Sequence, residues 1–460
     1  MRQRMLSSAL AVVCFVIGYL FWHFYRLPFV ELEKELQAIK ADGEPMRFED
    51  IVLPVPSSQN AAVIYQQAIN ALPNLSWNGL ETLDAFRFGH RVDEASVRNI
   101  LKRCQKSLAL VKKASRYPHS RWVKWQPCPY SIELRHPSGL RQLLRYLEAE
   151  ALLFLQEGNV DEALNNCLTA IRIAEHLWEE PVAAHAVYAL ASFRSAARIV
   201  QRVQGSKGIP PEWVTRLMRL ISRWDGDEAL IRWLQMERVM HIQFFDWLRA
   251  SPKDAREFAL MWSEDCCIYP GGNIAGWMQP ISRQLAINEL ILLRFDRRLL
   301  EIARRGEPYD WNEFKLLDEK AIRTKAFGFT FERPKFLRGF AFRPFAMAGE
   351  MLISSGFKSE RNLPELARSF EVIAETKALQ RLLQAALALS LYRHEIGSYP
   401  VALADLVPRC LPEVPKDPFD GKPVRYRRKG KGFKLWSVGS NLKDDGRIKQ
   451  MQADIVLEVN

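Results

Sequence analysis

The chain lacks the short motifs that mark most enzymes. It has no H-E-x-x-H zinc helix, no G-x-S-x-G nucleophile turn and no phosphate-cradling P-loop. Cysteine is sparse, seven in 460 residues, and no C-x-x-C pair occurs, which excludes the usual zinc and dithiol spacings. Cys14 falls in an apolar run. Cys104, Cys128, Cys167, Cys266, Cys267 and Cys410 could form disulfides in an oxidising space, with Cys167 read as a small buried apolar side chain. The neighbours Cys266 and Cys267 are poorly placed to bond each other. His119, His136, His176 and His185 are scattered and have no fixed partners in the sequence, and His394-Glu395 is too short for a zinc motif. Carboxylate pairs for hydrolysis could be drawn anywhere in so charged a chain, and only distances decide such cases. The expectation is a protein that is not an enzyme.

No acidic residue occurs from Met1 to Val30. Within that stretch, Met5 to Phe24 is apolar or weakly polar, and about 20 such residues span a bilayer core as a helix. Leu6, Val12, Phe15, Ile17, Leu20 and Trp22 are the candidate anchor residues. Arg2 and Arg4 precede the run. Trp22, Phe24, Tyr25 and Arg26 close it, as interfacial aromatics and a flanking cation would. A cleaved signal peptide is the competing reading, but no small-x-small site follows the apolar core. A core helix is a third, disfavoured because the run is apolar on all faces. The anchor places the N-terminus in the cytoplasm and the bulk of the chain in the periplasm, as a single-pass inner-membrane protein.

The remainder is long enough, and at 48% hydrophobic apolar enough, for more than one core. A net charge of +12 permits contact with anionic lipid, cell-wall polymer or nucleic acid without choosing among them. Phe29 to Ala41 reads as a short charged helix and Ile51 to Ser58 as a linker. Asn60 to Leu72 resumes helical spacing, with Ala61, Ile64, Tyr65 and Ala68 on one face. Residues 140–203 carry the strongest helical pattern. There Leu147, Ala151 and Phe154 share a face, Gly158-Asn159-Val160-Asp161 turns the chain, and Ala163, Cys167 and Ala170 are small enough for close helix approach. This segment resembles one tetratricopeptide-type helical hairpin, where about three are needed for a self-sufficient solenoid. Pro210-Pro211-Glu212 suits a helix start. Trp213 to Ala250 and Ile281 to Arg305 continue the helical pattern, and Tyr269-Pro270-Gly271-Gly272 marks a loop.

Between 325 and 345, Phe327, Phe329, Phe331, Phe336, Phe340, Phe342 and Phe345 interleave with Arg333, Lys335, Arg338 and Arg343. Packing between two domains is the first reading, contact with a membrane surface the second. Nucleic-acid stacking comes last, so nucleic acid is not expected as a partner.

Residues 379–446 hold the most specific pattern. An amphipathic helix runs into Gly397-Ser398-Tyr399-Pro400. Asp417-Pro418-Phe419-Asp420-Gly421-Lys422-Pro423 then opens a hairpin tipped by Gly430-Lys431-Gly432, and Ser437-Val438-Gly439-Ser440-Asn441 leads to Asp444-Asp445-Gly446. That order resembles the globular head of the major pseudopilin of type II secretion systems, in which a small sheet follows a long helix and a late loop binds calcium. The pseudopilin leader, its processing site and its early buried Glu have no counterpart here, so the head reads as a module carried on another scaffold. The whole layout resembles large membrane-anchored proteins of planctomycete-type bacteria, a family without an assigned activity. It departs from their tail pattern at Arg447, where a second glycine is usual.

The pseudopilin resemblance implies calcium. Asn441 and Asp454 are the positional matches, and Asp444 and Asp445 are nearby oxygen donors for a cation that takes six to eight of them. The competing reading is a polar turn in which Asn and Asp favour tight backbone geometry. The expected fold is mainly α. Residues 1–26 form the transmembrane anchor, 27–58 a juxtamembrane helix and linker, 59–345 an irregular, partly tetratricopeptide-like helical domain, and 346–460 a long helix with a small α+β pseudopilin-like head. The expected function is that of a non-enzymatic envelope protein with one or more protein partners. The alternatives are an accessory component of a type II secretion or type IV pilus-like system and, more distantly, an envelope hydrolase.

Overall fold

The computed structural model describes residues 2–126, 128–129, 134, 136–251, 281–310, 313, 325–326, 329–330, 367–444 and 455–459, for some of them the backbone alone. The loop expected at Tyr269 to Gly272, the pair Cys266-Cys267, and nearly all of the Phe- and Arg-rich segment lie outside the described residues. So do Asp445 and Asp454.

Helices dominate. Helix α1 spans Arg2–Ala41, and α2 is a single turn at Phe48–Ile51. Then come α3 (Ala61–Asn70), α4 (Trp77–Arg87) and α5 (Glu94–Ala114), followed by α6 (His136–Gln156), α7 (Val160–Trp178) and α8 (Ala183–Ser206). Next are α9 (Pro211–Ile221), α10 (Gly226–Ala250), α11 (Ile281–Arg305) and α12 (Ala367–Ile396). Two short strands, β1 (Lys325–Ala326) and β2 (Phe329–Thr330), pair with each other. The head's antiparallel sheet orders β3 (Arg425–Lys429), β4 (Gly432–Ser437) and β5 (Ile455–Val459).

The hairpin of α6 and α7 forms as its residues require. Gly158 takes φ 85°, the left-handed conformation that suits glycine at a helix end. Asn159 caps α7 by accepting the Glu162 N–H at 3.2 Å. Leu147 and Ala151 are fully buried and Phe154 partly so, while Ala163, Cys167 and Ala170 are fully buried. With no bulk at these positions, α8 packs so near that the Cys167 thiol donates to the Ala196 carbonyl at 3.6 Å. Glu148 of α6, 1% exposed, ties the hairpin to its neighbours. It accepts Arg87 of α4 at 2.7 Å, Arg198 of α8 at 2.6 and 2.7 Å, and the Ser195 hydroxyl at 3.1 Å.

Helix α12 differs from its expected amphipathic character. From Ser369 to Ser390 nearly every residue is buried, whichever way it faces, because α8, α9, α10 and the head sheet surround it. Several of its polar residues have dedicated partners. Glu375 meets Arg194 at 2.6 Å, Lys377 meets Asp227 at 2.8 Å, and Gln380 donates to the carbonyls of Ile221 and Trp224. Gln204 reaches the Ala386 carbonyl and the Ser390 hydroxyl from α8. One apolar cluster therefore runs from Ala61 to Val459.

The head motifs have visible reasons. Gly397 ends α12 at φ 85°. Tyr399 then packs edge-on against Phe433, with centroids 4.9 Å apart, and Tyr426 donates its hydroxyl to the Pro400 carbonyl at 2.8 Å. The hairpin turns at Gly430, φ 57°, with Lys429 facing Gly432.

Phe29 to Ala41 was expected as a separate short helix, but α1 runs unbroken through Pro28. Its C-terminal half docks on α11: Leu32 and Ile39 bury against Ala286, Leu290 and Leu293. Its N-terminal half leaves Val13, Phe15, Val16, Tyr19 and Trp22 exposed. Among the described residues no helix is long and apolar enough to cross a membrane. The side chains of Leu6, Val12, Ile17 and Leu20 lie outside the described residues.

Candidate functional site

Two clusters of polar side chains bear on the expected chemistry, one in the head and one in the helical body. In the head, Asn441 and Asp444 are both described and both hold local contacts. Asn441 accepts the Lys443 N–H at 2.9 Å, an Asx turn. Asp444 accepts the Trp436 indole N–H at 2.7 Å through one carboxylate oxygen. These two residues fall well short of the six to eight oxygens calcium takes, and the other two candidates lie outside the described residues. Among the described residues no group of three or more His, Cys, Asp or Glu side chains is placed to hold one metal ion.

The head's strongest electrostatic feature is instead Asp417, which is completely buried. One carboxylate oxygen accepts the Phe419 N–H at 3.0 Å and the Ser437 hydroxyl at 2.9 Å. The other accepts the Val438 N–H at 2.9 Å and the Arg425 guanidinium at 2.8 Å. Burial raises its pKa, and these four donors hold the charge in place. The D-P-F segment and the S-V-G segment are joined at this one side chain.

In the body, three of the scattered histidines come together beside the turn between α7 and α8. The Nε2 atoms of His136 and His185 lie 2.7 Å apart. His185 Nδ1 lies 2.9 Å from the Glu180 carbonyl, which can only accept, so His185 carries its hydrogen on Nδ1. Its Nε2 is then the acceptor and His136 Nε2–H the donor. The same logic applies to His176. Its Nε2 faces the Tyr117 carbonyl at 3.0 Å and donates, so Nδ1 accepts the Tyr65 hydroxyl at 2.9 Å. Trp122 stacks on His136 at 4.0 Å and on Tyr65 at 5.7 Å. Burial holds all three imidazoles neutral, with pKa values lowered to about 2 for His136, about 3 for His176 and about 4 for His185.

The segment around 119–123 is strapped over this cluster. The Ala61 N–H donates to the His119 carbonyl at 2.7 Å, and Asn60 exchanges two hydrogen bonds with the Arg121 backbone. The Glu180 carboxylate, 1% exposed, accepts the N–H groups of Trp122 at 2.6 Å and Val123 at 3.1 Å. Burial pushes its pKa up to about 7. Glu179 pairs with Arg121 and, at 3.3 Å, with His119. His119 faces solvent while Glu180 and the three buried histidines are turned inward, and the chemistry on offer is that of a polar clasp holding the strap to the helices. The one sequence signal for it was the run His176, Glu179, Glu180 and His185 around Pro181.

No family model, no curated protein and no solved structure matches this chain.

Proposed function

We propose that the protein is a non-enzymatic, membrane-anchored protein of the cell envelope, held by α1, with a helical body that binds a protein partner and a C-terminal head that stiffens it. The observation that carries this reading is the division of α1. Its exposed apolar residues, Val13, Phe15, Val16, Tyr19 and Trp22, spread over about half the helix circumference, wider than the roughly 100° stripe of a helix docked on one face. The C-terminal half of the same helix is fixed to the body. Its Glu31 pairs with Arg294 at 2.8 Å, and Glu44 pairs with Arg238 of α10 at 2.7 Å and with Arg304. Arg2 and Arg4 orient the N-terminus to the cytoplasm and the body to the periplasm. At the two ends of α4, Trp77 is 73% exposed and Phe88, its C-cap, 59%, side chains that are enriched where proteins meet.

Alkaline carbonate extraction of membranes tests the anchor. The full chain is expected in the pellet and a chain lacking residues 1–26 in the supernatant. Recovery of the full chain in the supernatant overturns the reading. The calcium expectation passes into this proposal as a ligand of the loop spanning Asn441, Asp444, Asp445 and Asp454. The alternative, an accessory role in a type II secretion or pilus-like system, rests on the pseudopilin-like order of motifs around Asp417. Copurification with pseudopilins or the secretion ATPase would favour it.

A further inference from the structure

Helix α5 carries charge of one sign. Between Glu94 and Glu133 the sequence has no acidic residue, while lysine and arginine recur throughout. At about 100° of turn and about 1.5 Å of rise per residue, Lys102, Lys106 and Lys113 fall within about 40° of one another and extend over about 16 Å of the helix. They lie opposite the buried side of α5, which holds Val97, Cys104, Leu108 and Val111. All three are exposed, as is Arg116 just beyond the helix end. Like charges four residues apart on a helix repel, so Lys102 and Lys106 weaken the helix that carries them.

Both flanks of this row are without a spare carboxylate. On one side lies α6, where Lys112 holds Glu150 at 2.6 Å and Arg98 holds Glu157 just past the helix. On the other lies α3, within a stretch from Ile51 to Leu80 that has no charged residue at all. Among the described residues Lys102, Lys106, Lys113 and Arg116 have no ion-pair partner. The exposed arginines of α11 differ, since Arg294 pairs with Glu31, and Arg298 and Arg305 pair with Glu313.

Apolar side chains stand exposed beside the cations. Val63, on the outer face of α3, is 49% exposed. Arg103 donates to the Asn74 carbonyl at 3.0 Å, so the chain leaving α3 meets α5 next to Lys102, and Trp77 is exposed three residues further on. Exposed aromatic and apolar groups supply contact area, and charge of one sign around them selects an oppositely charged partner. An anionic bilayer also attracts lysines. But α5 packs on α3, α4, α6 and α7, while α1 packs on α11, so the row belongs to elements other than the one that holds α1.

Resting on the protein-partner reading, we propose that α5 and the uncharged outer face of α3 form the docking surface for that partner, and that the partner presents an acidic segment. Its carboxylates meet Lys102, Lys106, Lys113 and Arg116, and its apolar side chains cover Val63 and Trp77.

The test uses the full chain in the cells that make it. A benzophenone-bearing amino acid replaces Val63 in one sample and Phe88 in another, and the adducts formed on irradiation are identified by mass spectrometry. The expected adduct at 63 is a peptide rich in Asp and Glu. Lys102→Glu/Lys106→Glu/Lys113→Glu should lower its yield about tenfold, while Lys431→Glu on the head hairpin leaves it unchanged. Lys102→Gln/Lys106→Gln/Lys113→Gln should give an intermediate yield, with melting temperatures matched to the unmodified chain. A phospholipid or nucleotide adduct at 63, or a peptide adduct indifferent to the triple reversal, overturns the acidic-partner surface. A peptide adduct at 88 with none at 63 overturns it too and keeps the protein-partner reading. Adducts at neither position remove both.

Discussion

His136 and His185 meet Nε2 to Nε2 at 2.7 Å, and only one of those nitrogens carries a hydrogen. The Glu180 carbonyl decides which, by accepting the one ring hydrogen of His185 on Nδ1. A proton added to His185 would set two N–H groups against each other in a buried pocket. The pair therefore makes the fold acid-sensitive.

The sign follows from burial. Unfolded histidines titrate near 6.5, while His136, His176 and His185 in the fold wait until about 2, 3 and 4. Between those limits the unfolded chain binds more protons, so stability falls as pH drops below about 6.5. Each histidine contributes about 1.4 kcal/mol per pH unit once well below that point. Urea unfolding at pH 7 and at pH 5 should show the loss, and His176→Gln should shrink it. An unchanged pH dependence in that variant would remove His176 from the account.

Glu237 of α10 acts at the other end of the scale. It is 1% exposed, its Oε1 accepts the Trp233 indole N–H at 3.2 Å, and its Oε2 has no hydrogen-bond partner among the described residues. Burial raises its pKa to about 7. The folded state therefore holds a proton that the unfolded chain releases near 4.5, and stability falls as pH rises from there to about 7. Glu237→Gln should leave stability at pH 5 nearly unchanged and raise it by about 1–3 kcal/mol at pH 8. Thermal melts at the two pH values measure this, and equal effects at both would contradict it.

Asp417→Asn should damage the head more than any surface change. The amide keeps one acceptor but turns N–H hydrogens toward either the Phe419 N–H and Ser437 hydroxyl or the Val438 N–H and Arg425 guanidinium. A cost of about 1–3 kcal/mol is expected, since two buried donors are left facing the new amide N–H groups while Arg425 keeps its pair with Asp420 at 2.5 Å. Hydrogen exchange should rise first at Phe433 to Val438. Protection there equal to that of the unmodified chain would show that Asp417 does not join the two segments.

Calcium should raise the melting temperature of the full chain relative to chelator, because a ligand of the native state alone stabilises it. The double variant Asp444→Ala/Asp454→Ala should remove that rise. A melting temperature indifferent to calcium would leave the loop as a turn pinned by Trp436 and Asp444.

The sequence made the helical body legible wherever one face of a helix is apolar. Tyr65 and Ala68 of α3 and the small residues of α7 fall where their spacing puts them, and Pro211 opens α9 as its ring geometry favours. Periodicity was no guide to α12. Its polar residues Glu375, Lys377 and Gln380 are buried, not solvated, because their dedicated partners lie far off in sequence. The histidine cluster stayed hidden for the same reason, since His136 and His185 are brought together only by α6 folding against α8. Asp417 was visible as part of a motif, but its role depended on Ser437 and Val438, which arrive with β4.

The enclosure of α12 also constrains how the molecule is made. Synthesis delivers α8, α9 and α10 well before Ala367 exists, so the earlier helices face a trough whose filling is still unmade. At about 5–20 residues per second, that interval lasts on the order of ten seconds. Through it the apolar faces of α8, α9 and α10 that α12 buries in the finished fold wait for that helix. A product stopped short of α12 would keep that surface for its lifetime, a natural mark for a quality-control protease, and release from a holding chaperone would be timed by the last hundred or so residues of the chain.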